Sequence, residues 1–462
     1  MRQYLGLLRT DAGGGWKLAL IAGLTLLLLI PLAMVEEVIG ERAALRETVL
    51  ADIASQQGGE QHVVGPILVV PYERRVAPSP DDSSNGDVID RMEAVAVILP
   101  ERLAVSAALS HEIRNRGIYE APVYRSTIEL AGEFVQPDLA AAVPNMLGAD
   151  WSRAALVFGV TDLAGLAKAD GVMVDGRAAA FKPGAPAFAA RLFAGRDGPR
   201  TSLRFFHIPA PATLFVGGAA QFEATLGLNG SGGFFLTPLA GLSDLKIAGD
   251  WPHPSFQGAP LPAGRTVDDT GFTASWSIPA LARGYGAVWT EHEAATLMQL
   301  AAETGVGFRH ARPDDFYVGA TRAVKYGVLF VALTLLACFV LERFGGERLH
   351  PAQYGLVGLS LALFYLLLIA LAEHVGFLLA YVAAALTIAA MNGAYVGLAL
   401  RSARRGAGAG GVLALLYAAF YVMLTAEGMA LLIGAGLLLI GLAAAMAATA
   451  RMRGSAPAVD GR

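Results

Sequence analysis

Apolar and polar positions divide this chain into three stretches. Leu18 to Val35 is an uncharged apolar run. At ~1.5 Å rise per residue it nearly spans a ~30 Å hydrocarbon layer as a helix. From Tyr326 onward the pattern becomes long uncharged runs separated by short polar punctuation, each roughly 15 to 26 residues long. They are Tyr326–Leu341, Tyr354–Ala372, Val375–Leu400, Gly410–Ala426 and Met429–Ala450. The pattern therefore predicts a transmembrane helix over 18–35 and a C-terminal bundle of five more, over 326–341, 354–372, 375–400, 410–426 and 429–450. The small residues 406–411 before the fifth span read as a linker or a helical extension.

Between these regions, residues 36–323 turn to strict alternation bounded by Gly, Pro and Asn, which is the signature of strands. Ile67–Tyr72, Ala94–Leu99, Leu103–Leu109, Ser126–Phe134, Ala154–Val160, Ser202–Ile208, Gln221–Leu228 and Gly271–Ile278 are the clearest. Phe222 to Asn229, followed by Gly230-Ser-Gly-Gly233, reads as one arm of a hairpin. Many short strands at close spacing predict a mainly-β, sandwich-like antiparallel domain. Two helices are expected at its edges. Arg42–Ala54, with Leu45, Val49, Leu50 and Ile53 at helical spacing, continues the first span, and Glu291–Glu303 is the other. Pro78 to Asp90 reads as a polar loop.

Composition agrees with a membrane protein: of 462 residues, 55% are hydrophobic and only 16% charged, against about 25% charged in soluble domains. A net charge of −4 leaves no basic footprint for nucleic acid, which is excluded as a partner. The single cysteine, Cys338, sits in an apolar run, so the middle domain can form neither a disulfide nor a thiolate metal site. Arginines then orient the spans, because short cytoplasmic loops are enriched in Lys and Arg. Arg2, Arg9 and Lys17 precede the first span, Arg343 and Arg348 follow the second, Arg401, Arg404 and Arg405 the fourth, and Arg451 and Arg453 the sixth. The turns Glu373-His374 and Glu427-Gly428 carry none. Both termini, 1–17 and 451–462, are expected in the cytoplasm and residues 36–323 in the periplasm. No small-x-small cleavage site follows the first span, only Met34-Val35-Glu36-Glu37, so an uncleaved anchor is expected.

Several stretches carry a resemblance that composition does not. Gly65-Pro-Ile-Leu-Val-Val-Pro-Tyr72, GDWPHPSFQG at 249–258 with WSIPALARG at 276–284, RAVKYGVLFVALT at 322–334, and the long run 349–385 resemble the CreD family of bacterial inner-membrane proteins. The resemblance runs along most of the chain. It implies an inner-membrane location, a periplasmic domain and a role in cell-envelope integrity and envelope-stress or antibiotic response, without a molecular activity. Relatives tend to have an acidic pair and an aromatic residue near the last turn, where this chain has Glu427-Gly428-Met429.

Candidate chemistry is sparse. Glu373, His374 and Glu427 fall at the same ends of their spans, where ionisable groups form a ligand or proton site or are plain turn residues. Asn392, inside a span, needs an amide partner and reads as helix–helix glue or part of such a site. Phe364-Tyr365 and Phe420-Tyr421 read as packing. Two prolines fix the backbone around His253 in Asp250-Trp-Pro-His-Pro254, so Trp251 and His253 mark a rigid loop, structural with Trp251 buried or ligand-binding. Thr290-Glu-His-Glu293 lacks the paired histidines of a zinc helix. Neither a GxSxG elbow nor a P-loop is present, and neither a cofactor nor a metal is expected. Three functions remain open. A non-enzymatic envelope protein would bind an envelope lipid, a peptidoglycan-related component or a partner protein through its periplasmic domain, beside the lipid bilayer. A transporter or lipid handler would use the bundle, although few charges appear within it. A hydrolase has only the histidines to support it.

Overall fold

The computed structural model describes residues 15–76, 90–194, 203–210, 214–215, 218–284, 286–293, 296, 304–311, 316–345 and 349–449. The predicted polar loop, and most of the predicted helix 291–303, lie outside these residues. The chain divides into two units: Met1–Arg46 with Asp314–Arg462, and the intervening Glu47–Pro313.

The first unit is helical. Helices α1 (Gly15–Leu27) and α2 (Leu29–Gln57) follow one another across a break. Pro31 has no N–H to donate back to Leu27, so the ladder is interrupted between Leu28 N–H to Leu24 O at 2.9 Å and Leu32 N–H to Leu28 O at 3.3 Å. As the helical spacing of Leu45, Val49 and Ile53 predicts, α2 continues well past the apolar run. Then come α3 (Phe316–Lys325), α4 (Gly327–Gly345), α5 (Pro351–Val375), α6 (Phe377–Ala399), α7 (Ala403–Thr425) and α8 (Ala430–Thr449). Among the described residues, five helices are each long and apolar enough to cross a membrane, and a sixth span results if α3 and α4, bent by 53°, are counted together.

The helix boundaries sharpen several of the predicted spans. Helix α5 starts at Pro351 under a capping box in which His350 and Gln353 satisfy each other's backbone N–H groups. Gly376, at φ +79°, ends it, so the fourth span begins at Phe377 and not at residue 375. The small residues 406–411 are helical, inside α7. A Cβ on Gly406 would stand 2.6 Å from both Gly393 O and Gly397 Cα. The glycines thus let two backbones touch, and this close packing outweighs their poor helix propensity.

The second unit is a two-sheet β structure. The eight-stranded sheet runs β15 (Gly264–Asp268), β16 (Gly271–Pro279), β13 (Leu242–Gly249), β3 (Arg102–Arg116), β4 (Tyr119–Val135), β11 (Ala219–Ser231), β7 (Leu166–Val174), β8 (Arg177–Ala178). Along β3 buried and exposed residues alternate, so one face is core and the other is left to Ala104, Ser106 and Ala108. The ten-stranded sheet runs β14 (Pro254–Gln257), β18 (Val306–His310), β12 (Gly233–Leu236), β1 (Gln61–Val76), β6 (Ala155–Val160), β10 (Arg204–Pro209), β9 (Lys182–Pro183); β2 (Asp90–Ile98) and β5 (Met146–Ala149) also pair with β1, and β17 (Val288–Thr290) with β2. Its interior strand β6, between β1 and β10, is buried throughout, because a second apolar layer including Phe188 and Phe193 covers its other face. The main core lies between the sheets, with Leu68, Leu103, Ile128, Phe158 and Phe234 among its members.

All eight predicted strands are present. Two expectations fail. The β11 segment is not a hairpin arm: at Gly232, φ +78°, the chain leaves one sheet and enters the other as β12, which pairs parallel to β1. The pairing is also not purely antiparallel, since β13 runs parallel to β3. Both arise because a sandwich needs chain crossings between sheets, which local alternation does not encode.

Candidate functional site

Helix α5 carries the polar groups that organise the helical unit. At its C-terminal end, Glu373 Oε1 accepts a hydrogen bond from Tyr317 Oη of α3 at 3.1 Å, and Oε2 lies 4.0 Å from Arg42 of α2. Arg46, one turn beyond Arg42, sits over the Tyr317 ring at 5.7 Å. The Glu373 side chain is only 10% exposed while Arg42 is half exposed, so the carboxylate is enclosed by three helices. Its sequence neighbour His374 points to the exterior and makes no hydrogen bond among the described residues. Glu427 lies in a short 3-10 turn between α7 and α8; its side chain is outside the described residues. Of the predicted trio, Glu373 alone is seen to be built into a polar cluster.

Asn392 of α6 is buried, and its amide donates to Ser360 Oγ of α5 at 2.8 Å while Ser360 Oγ also approaches Asn392 Oδ1 at 3.0 Å. The amide thus has the partner its burial demands.

A second charged cluster lies at the other end of α5. Glu342 of α4 is buried, accepts from Tyr354 Oη at 2.7 Å and pairs with Lys17 of α1. A second span over 326–341 leaves Glu342 just outside it, and a bundle with few charges is expected from the sequence. The structure corrects this, because α4 continues to Gly345 and carries the carboxylate inward against α1 and α5. A lone Glu at the end of an apolar run, with a lone Lys at the start of another, was the available signal. Tyr354 and Glu373 are 19 residues apart on α5, about 28 Å along the axis, close to the ~30 Å of a hydrocarbon core.

In the β unit the rigid Asp250–Pro254 loop behaves differently from its sequence reading. His253 is exposed, and it is its carbonyl that matters, accepting from Trp251 Nε1 at 3.0 Å and Ala311 N at 3.1 Å. Trp251 is half-buried, not buried. Asp250 is the hub: its Oδ1 accepts both the backbone N–H of His111 at 2.7 Å and the Nδ1–H of His111 at 2.5 Å. Burial pushes the His111 imidazole below its ordinary value, which the Asp250 bond only partly offsets. For Asp250, burial works upward but the bonds from His111 prevail and hold the carboxyl low. His310 packs edge-on to His111 at 5.0 Å and hydrogen-bonds Gly232 O through Nδ1 at 2.9 Å. His111 and His310, on strands far apart in sequence, could not be paired from spacing.

Other chemical patterns dissolve on inspection. Glu293 caps its own turn, accepting from Thr290 N at 3.1 Å. Ser243-Asp-Leu-Lys246 has the spacing of serine–lysine hydrolases, which sequence reading overlooked. On strand β13, however, Ser243 faces the core and Lys246 the exterior, since residues three apart on a strand point to opposite faces. Among the described residues no group of three or more His, Cys, Asp or Glu side chains is arranged to hold a metal ion.

Comparison with known proteins gives one consistent answer. Residues 14–453 match the family model described as Inner membrane protein CreD. The chain is 34% identical over 441 residues to the Inner membrane protein CreD of Escherichia coli (strain K12), an alignment covering 94% of this chain and 92% of that protein.

Proposed function

The chain belongs to the CreD family of inner membrane proteins, and we propose that it is a non-enzymatic support of cell-envelope integrity whose β unit binds an envelope component or partner protein on the periplasmic side. It is a multi-pass inner-membrane protein. The observation that carries the reading is the insertion of residues 47–313 between two parts of the helical unit, so that the β unit is tethered at both its ends. A domain held this way samples only the membrane face, which suits a partner located there. The arginine distribution supports cytoplasmic termini and a periplasmic β unit. The spacing of the Glu342 and Glu373 clusters along α5 supports their sitting near the two surfaces of the apolar layer.

Photo-crosslinking residues introduced at exposed positions such as Ser106 and Ser275, followed by identification of the adducts, test the binding. The reading expects one recurring lipid, glycan or protein adduct. It falls if residues 47–313 can be replaced by a short linker, at unchanged protein level, without loss of envelope resistance.

Lipid handling by the helical unit is a second reading, favoured by the 53° bend between α3 and α4. Broken helices are where membrane proteins expose backbone groups to ligands.

A further inference from the structure

The outer face of the eight-stranded sheet carries short side chains at its middle. Ala104 and Ser106 of β3 and Ala131 of β4 are exposed there, although alanine is a poor strand former and β-branched or aromatic residues suit such positions better. Strand propensity therefore does not explain them. What they create is a depression of about 760 Å³, open to the exterior, that runs from Ala263, just before β15, to Gly171 of β7. Its volume falls within the range of ligand sites.

Strand register sets the charges around this floor. One row across the sheet reads Ser277, Asp244, Ala104, Ala131, Glu223, and the next reads Ser275, Lys246, Ser106, Glu129, Thr225. Asp244 and Lys246 thus bound the alanines on the β13 side, and Glu223 and Glu129 bound them on the other. Glu129 lies opposite Thr225, so Glu129 and Glu223 are diagonal neighbours on adjacent strands, roughly 7 to 8 Å apart.

These groups are poorly balanced among themselves. Asp244 accepts from Ser277 Oγ at 2.6 Å, while Glu129, Glu223 and Lys246 have no hydrogen-bond or ion-pair partner among the described residues. Lys246 stands two strands from Glu129, about 10 Å away. The neighbouring charges of this face are already engaged: Arg102 with Glu133 at 3.5 Å, Lys168 with Asp170 at 3.1 Å and Arg125 with Glu112 at 3.4 Å, and Arg177 of β8 has a partner as well. Three carboxylates against one ammonium remain around an apolar floor.

We propose that this depression receives a basic side chain, lysine or arginine, from an extended segment of a partner protein. The methylene stem lies over Ala104 and Ala131, as such stems do on apolar surfaces, and the charged head sits between Glu129 and Glu223. Asp244, Ser106 and Ser275 hydrogen-bond the amides of the segment. Lys246 repels a second cation and so favours one orientation. The proposal rests on the reading that the β unit binds a partner, and it names the surface and the chemistry that the surface selects.

The probe is a blocked pentapeptide with one central lysine, and its acetyllysine counterpart is the control. Both are titrated against the full chain in phosphatidylcholine nanodiscs and followed by saturation-transfer NMR, with empty nanodiscs as the blank. The expected result is saturation of the lysine methylene protons, weakened by added salt and weaker for the acetylated peptide. Glu129→Gln and Glu223→Gln are each expected to lower the affinity about two- to fivefold, the size of an exposed ion pair. Asp269→Asn, which removes an exposed carboxylate outside the depression, should leave it unchanged. Ala131→Val fills the floor. It is expected to keep or raise the thermal midpoint, since the strand gains a β-branched residue, while abolishing the methylene signals. Equal binding of the two peptides, no binding by the wild type, or unchanged binding in Ala131→Val overturns the site. None of these outcomes touches the broader reading, which falls on replacement of residues 47–313 by a linker.

Discussion

Glu60 begins β1's approach in the β unit and forms a two-pronged ion pair with Arg309 of β18, at 2.7 and 3.0 Å. Burial acts to raise its pKa, but the bonds from His62 and Arg309 outweigh it and bring the carboxyl down to about 2. A carboxylate whose folded value lies below its unfolded one stabilises the fold above the unfolded value of 4.5 and loses that contribution as pH falls through about 2. Tryptophan fluorescence of the full chain during denaturation should therefore show Glu60→Gln less stable than wild type at neutral pH, with the gap closing as pH drops from 4.5 toward 2. An equal gap across that window would contradict the pairing. The Lys17–Glu342 pair is the other charge with a definite consequence. Removing one partner of a buried pair typically costs about 3 to 5 kcal/mol because the other is left uncompensated, whereas replacing both can be nearly neutral. Glu342→Met or Lys17→Met alone is expected to lower the thermal midpoint in detergent, and the double variant to recover most of it.

Helices show where sequence patterns suffice and where they stop. Apolar runs located every long helix, since hydrocarbon length and residue rise fix each other. They could not place the start of α7, because Gly406 and Gly410 look like linker residues until Gly393 and Gly397 of α6 are set against them. With backbone atoms 2.6 Å from a would-be Cβ, Gly406→Val must push α6 and α7 apart. The expected cost is about 1 to 3 kcal/mol or more, measured by unfolding in mixed micelles, while Gly408→Val, which meets nothing within 4 Å, should be tolerated. Strands were equally legible from alternation, but their partners were not. The crossing at Gly232 and the parallel pairing of β3 with β13 depend on contacts more than 100 residues apart, which no local period records.

For the whole molecule, two helical segments enclosing a β unit were legible from hydropathy alone. The sites were only partly so. Glu373 and Asn392 stood out because a polar residue in an apolar run is conspicuous, and each has its partner: Tyr317 for one, Ser360 for the other. His111 did not stand out, and Asp250 was marked only as the start of a rigid loop, because the significance of both comes from neighbours that folding supplies. The account rests on the β unit facing the periplasm. Cysteine labelling reads this directly, since the one native cysteine, Cys338, is buried. With Ser106→Cys in the β unit and Arg404→Cys after α6, a membrane-impermeant maleimide is applied to cells with permeabilised outer membranes. Modification of Ser106→Cys before lysis of the inner membrane and of Arg404→Cys only after it is the predicted result; the reverse pattern would contradict the account.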